Sequence, residues 1–120
     1  MKRDLDLIRK ILLEIETQCD APGKRISKLP EYSEYEFAYH LNLLCEAGLI
    51  TGARAKLSGR HYPLVTPTGL TWAGHDFLDA CRDEGIWTKA KEKLKDIGDS
   101  ATFEVIKTVL TQLALKQLGM

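Results

Sequence analysis

At 120 residues, with 44% hydrophobic and 28% charged side chains, the chain has the length and composition of one globular domain. Its 17 Lys and Arg balance its 17 Asp and Glu, and this zero net charge excludes a uniformly basic nucleic-acid coat protein while leaving room for a local basic patch. Three widely spaced cysteines (Cys19, Cys45, Cys81) with no Cys-x-x-Cys pair exclude a disulfide framework, and no apolar run approaches the roughly 18 residues of a membrane span.

The charged opening, Met1 to Asp6, lacks the apolar core of a secretory signal, so a cytoplasmic protein is expected. From Asp4 to Gln18, Leu5, Ile8, Leu12 and Ile15 recur at helical spacing, with Leu7, Ile11 and Leu13 widening the stripe, which predicts an amphipathic helix. Asp20-Ala21-Pro22-Gly23 ends it. Lys24 to Leu29 alternates charged and apolar side chains and predicts a short strand, leaving only Pro30-Glu31-Tyr32 for a short middle helix. Ser33 or Glu34 opens a second helix through Ala47, with Phe37, Leu41 and Leu44 inward beside Ala38 and Cys45. Gly48 suits its C-terminal cap, because a left-handed residue there needs no Cβ.

A hairpin follows. Ala53 to Leu57 alternates Ala55 and Leu57 against Arg54 and Lys56, Ser58-Gly59-Arg60 supplies the turn, and His61 to Val65 returns with Tyr62 and Leu64 on one face. Pro63 and Pro67 make the second arm an irregular edge strand. Thr71 is placed to cap a helix from Trp72 to Arg82 whose Phe77, Leu78 and Cys81 face inward. Gly74 inside that helix costs about 1 kcal/mol against Ala, which predicts a close backbone crossing there. A lysine-rich helix then carries Ile86, Ala90, Leu94 and Ile97 on a narrow stripe, with Trp87 as a core anchor. Gly98-Asp99-Ser100 breaks and re-caps the chain before a last helix, Ala101 to Leu118, apolar over an unusually wide arc.

Helix, strand, helix, hairpin, helices is the winged-helix order, so the fold class expected is mainly α with a small β-hairpin (α+β): a winged helix-turn-helix over 1–83 with a helical extension over 84–120 in the same folding unit. The opening Met1 to Leu12, with Tyr35-Glu36, His40-Leu41, Glu46 to Ile50, Leu70-Thr71-Trp72 and Gly74 to Leu78, resembles an uncharacterised bacterial and phage domain family. The Leu-Thr-x-x-Gly stretch (Leu70 to Gly74) and Gly85-Ile86-Trp87 are similar to the YjcQ-like winged-helix proteins. The resemblance implies a winged-helix fold and a prophage or mobile-element setting, and carries no activity with it.

No catalytic site is expected. His40, His61 and His75 share no metal-ligand spacing; His75 and Asp79, one helical turn apart, are the best acid–base pair and read better as a surface hydrogen bond. No metal or cofactor is expected, nor a phosphate loop or nucleophile elbow.

Charge is the informative pattern. Between Leu29 and Ala53 there is no Lys or Arg, while Glu31, Glu34, Glu36 and Glu46 cluster there, around the helix that a DNA-binding winged helix would insert in the major groove. Its outward face is Tyr35, Tyr39 and Leu43, a protein-binding surface or one covered by the C-terminal helices. Ala47 to His75, by contrast, contains no acid. Arg54, Lys56, Arg60 and His61, with Lys24, Arg25 and Lys28, could form a basic wing face holding phosphates, or simply a charged edge that blocks strand pairing. Two functions are therefore expected: first, a nucleic-acid-associated regulator docked by its basic wing; alternatively, a protein-interaction module using the Tyr35/Tyr39/Leu43 face. Phe103, Ile106, Val109, Leu110 and Leu113 on the last helix predict a homodimer interface.

Overall fold

A computed structural model of the chain describes residues 3–18, 31–56, 59, 64–96 and 102–119, and among them places five helices and one antiparallel hairpin. In chain order these are α1 (Leu5–Gln18), α2 (Glu34–Glu46), β1 (Ile50–Ala55), β2 (Leu64–Leu70), α3 (Trp72–Cys81), α4 (Glu84–Lys95) and α5 (Phe103–Gln117). The fold class is thus α+β, mainly helical. The expected strand over Lys24 to Leu29 lies outside the described residues, and Glu31 and Tyr32 form a turn and a bend instead of a middle helix.

Each helix starts where a side chain can take an orphan backbone N–H. Asp4 Oδ1 accepts from Leu7 N at 3.1 Å and opens α1. Ser33 opens α2 with a reciprocal capping box: its hydroxyl accepts from Glu36 N, and the Glu36 carboxylate accepts from Ser33 N. Asp83 caps α4, and Thr102 caps α5 by accepting from Val105 N at 3.2 Å. The expected start of the last helix at Ala101, after Ser100, moves to Phe103, because the Thr102 hydroxyl lies within reach of the third N–H beyond it.

The chain divides into two compact units, Met1–His75 and Asp76–Met120, and the division falls within α3. In the first, α1 packs on α2 and β2, and α2 packs on both strands. Leu7, Ile8, Ile11, Leu12 and Ile15 are buried from α1, and Phe37, Ala38, Leu41 and Leu44 from α2. In the second unit α4 packs on α5, and Trp87, Ala90, Leu94, Ile106 and Leu110 are buried. Trp87 is the anchor its position suggested.

The hairpin departs from the expected alternation. β1 begins at Ile50, three residues earlier than Ala53, and Ile50 is its one buried residue; Ala53, Arg54 and Ala55 are all exposed. On β2, Val65 and Pro67 are buried and Leu64 is exposed; Tyr62, expected on the same face as Leu64, lies outside the described residues. Pro67 has no N–H to give the ladder, and the register slips between Thr51 and Gly52, opposite it. A Cβ at Gly52 would stand 2.6 Å from the Thr66 carbonyl oxygen, so the bulge needs this glycine.

One small clasp joins α2, the hairpin and α3. The end of α2 is a Schellman turn: Gly48 has φ +75°, Leu49 N donates to Leu44 O at 3.0 Å and Gly48 N to Cys45 O at 3.1 Å. Thr71 N donates to Leu49 O at 3.0 Å, and its hydroxyl donates to Gly48 O at 2.6 Å while accepting from Gly74 N at 3.0 Å. Any Cβ on Gly74 would collide with the Leu49 carbonyl, which is the close crossing that the glycine predicted. The Glu46-Ala47-Gly48-Leu49-Ile50 and Leu70-Thr71-x-x-Gly74 stretches are therefore two halves of one hydrogen-bonded object.

Candidate functional site

Of the seven basic-wing residues, Lys24, Arg25, Lys28, Arg60 and His61 lie outside the described residues. Lys56 follows β1 and is exposed. Arg54 is differently placed. Its Nη2 donates to Asn42 Oδ1 at 2.7 Å and lies 3.8 Å from Glu46 Oε1, while Asn42 Nδ2 donates to Glu46 at 3.2 Å. Asn42 is buried, so the guanidinium works as a latch holding β1 against α2. A cation already facing a carboxylate offers less to a phosphate.

The three residues expected on the outward face of α2 differ in exposure. Tyr35 is 55% exposed, and Tyr39 and Leu43, one and two turns further on, are half-buried. Glu34 and Glu46 are exposed at its two ends, and Lys10 reaches Glu31 at 2.6 Å and stands 5.4 Å over the Tyr32 ring. That ion pair raises the Lys10 pKa, and burial raises that of the Tyr32 phenol.

His40, which sequence spacing left without a role, is fully buried on α2. Its Nε2 accepts from Asp4 N at 2.8 Å, so its Nδ1, 2.7 Å from Glu36 O, carries the proton. The ring is a neutral bridge from α2 to the start of α1, with the Tyr39 ring edge-on at 5.5 Å. His75 and Asp79 are both exposed, and Asp79 accepts from Arg82 at 2.8 Å. Among the described residues no group of three His, Cys, Asp or Glu could hold a metal ion, and no helix is long and apolar enough to cross a membrane.

Sequence reasoning passed over Trp72, which is 85% exposed at the first position of α3. The signal was present: with Gly74, Phe77, Leu78 and Cys81 inward, 100° per residue puts position 72 on the opposite side. On α5 the expected interface residues separate. Ile106 and Leu110 are buried inside their own chain and cannot meet another; Val109 and Leu113 are half-buried; the Phe103 side chain lies outside the description. Between α4 and α5 runs a groove of about 510 Å³, with Ile86 and Leu113 among its apolar lining and Lys89, Lys93, Lys116, Glu92 and Asp96 around it.

A family model described as "Hypothetical protein (DUF2513)" matches residues 2–100. A protein of Haemophilus influenzae (strain ATCC 51907 / DSM 11121 / KW20 / Rd), named "Uncharacterized protein", is 35% identical over 121 residues, covering 94% of this chain and 98% of that one. No solved structure matches.

Proposed function

This chain belongs to the DUF2513 family, and on that premise we propose that it is a non-enzymatic winged-helix module that binds a protein partner on the outer face of α2. Neither the family description nor the relative's name assigns an activity, so the reading rests on the chain's own surfaces. One observation carries it: the helix in the reading position bears tyrosines and glutamates, and Arg54, a cation beside it, is latched to Asn42 and Glu46. Aromatic side chains at a half-open surface are the usual anchors of protein contacts. Kinship with the YjcQ-like proteins, a prophage or mobile-element setting and a cytoplasmic location belong to the same proposal.

The test is a photoreactive amino acid in place of Tyr35, compared in the producing bacterium with the same residue in place of Lys56. A discrete protein adduct from position 35, absent from position 56, is expected. Nucleic-acid adducts from position 56 alone would sink the reading.

A second reading, a nucleic-acid-associated regulator docked by the wing, keeps support from the acid-free stretch Ala47 to His75 and the exposed Lys56. Duplex DNA titrated across a salt series decides it. Binding whose salt slope falls in Lys56→Glu/Arg60→Glu favours the wing, since each phosphate contact adds to that slope. No binding at low salt removes it.

A further inference from the structure

The second unit carries an apolar seam that its own core does not consume. On α5, Val105, Val109 and Leu113 follow one another at four-residue spacing and are all half-exposed, while Ile106 and Leu110 on the adjoining side are buried. Leu113 also lines the α4/α5 groove, as does Ile86, likewise half-exposed. The charges around the groove are of both signs: Lys89, Lys93 and Lys116 against Glu92 and Asp96, every one of them exposed.

That mixture selects the occupant. The carboxylates oppose a nucleic acid or an anionic ligand, and the lysines oppose a basic peptide. A second copy of the same surface, turned by a two-fold axis, offers carboxylates to the lysines and lysines to the carboxylates. We infer that the α4/α5 unit pairs with its counterpart in a second chain, the α5 seams meeting antiparallel about Val109 to form a four-helix bundle. In that register Val105 of one chain faces Leu113 of the other, and the ridge of one α5 enters the α4/α5 groove of its partner, the usual way in which helix pairs fill each other's grooves. The pairing needs neither the α2 face nor the hairpin, so it stands independently of the proposed function.

Sedimentation or light scattering on the full chain tests it. The mass rises with concentration from 13.5 kDa to twice that value and no further. Leu113→Ala raises the dissociation constant roughly tenfold or more, from the apolar area lost. Because that change could also disturb folding, two variants made only at exposed positions carry the decision. Lys89→Glu/Lys93→Glu/Lys116→Glu makes the rim acidic, and Glu92→Lys/Asp96→Lys makes it basic. Each alone is monomeric with unchanged circular dichroism, and an equimolar mixture pairs again. A wild-type chain that stays at 13.5 kDa at every concentration overturns the inference, as do rim variants that pair like the wild type or a mixture that stays monomeric.

Discussion

His40 and Gly74 show how much of this fold depends on single atoms. A buried imidazole with an amide N–H on one nitrogen and a carbonyl on the other can exist there as one tautomer only. Nitrogen-15 NMR should therefore find His40 protonated at Nδ1 and bare at Nε2. His40→Phe strands the Asp4 N–H and should cost about 1–3 kcal/mol in denaturant melts, whereas His75→Phe, at an exposed site, should cost almost nothing. Gly74 makes a prediction against propensity. In an ordinary helix interior Gly→Ala stabilises by about 1 kcal/mol. Here the new methyl meets the Leu49 carbonyl, so Gly74→Ala should destabilise by roughly 1–3 kcal/mol; a gain in melting temperature would contradict the clasp. The glycine was readable because it broke a rule of its own helix. His40 was not readable, because its partner is a backbone amide 36 residues away, and backbone groups leave no mark in a sequence.

At the scale of elements, helices declared themselves and strands did so poorly. α1 has five buried apolar residues at helical spacing, and α2 has both a capping box and a glycine stop, so local chemistry and periodicity agree. The hairpin has two strands and rests only part of one side on the helices, so the Arg54/Ala55/Lys56 alternation marked no buried face, and tertiary contact through Ile50, Val65 and Pro67 set the register. The role of Arg54 was equally hidden, since a hairpin arginine looks the same in sequence whether it awaits a phosphate or latches a neighbour. Arg54→Ala should cost about 1 kcal/mol, mainly from the stranded Asn42 amide oxygen, because the partly exposed contact with Glu46 adds little. The link between α1 and the segment ahead of α2 gives a pH dependence. Lys10 and Tyr32 both have pKa values raised in the folded chain, from ordinary values of 10.5 and 10.0. For both groups the folded state holds its proton more tightly. Their contribution is therefore complete below those ordinary values and is lost as pH climbs through the raised ones. Urea midpoints should stay level up to about pH 9.5 and fall above it, and Tyr32→Phe should shrink the fall.

For the molecule as a whole, the zero net charge conceals a separation of signs. Residues 30–52 hold Glu31, Glu34, Glu36 and Glu46 with no Lys or Arg, and Ala47 to His75 hold Arg54, Lys56 and Arg60 with no acid. At the isoelectric point, near pH 6.8, nothing keeps molecules apart by overall repulsion, while unlike patches on different molecules still attract. Such attraction is electrostatic and short-ranged, so it should weaken as the screening length shrinks to about 8 Å at physiological salt. The second virial coefficient is therefore expected to be most negative near pH 6.8 in low salt and to rise towards zero on adding salt. Attraction through the exposed apolar side chains Trp72 and Leu118 would respond the opposite way, because strongly hydrated salts favour apolar burial. A virial coefficient that falls on adding sulfate at pH 6.8 would identify the apolar surface, and not the divided charge, as what brings these molecules together. The two-fold pairing of α5 should weaken only in part through the same titration, because added salt screens its charged rim and leaves its apolar seam in place.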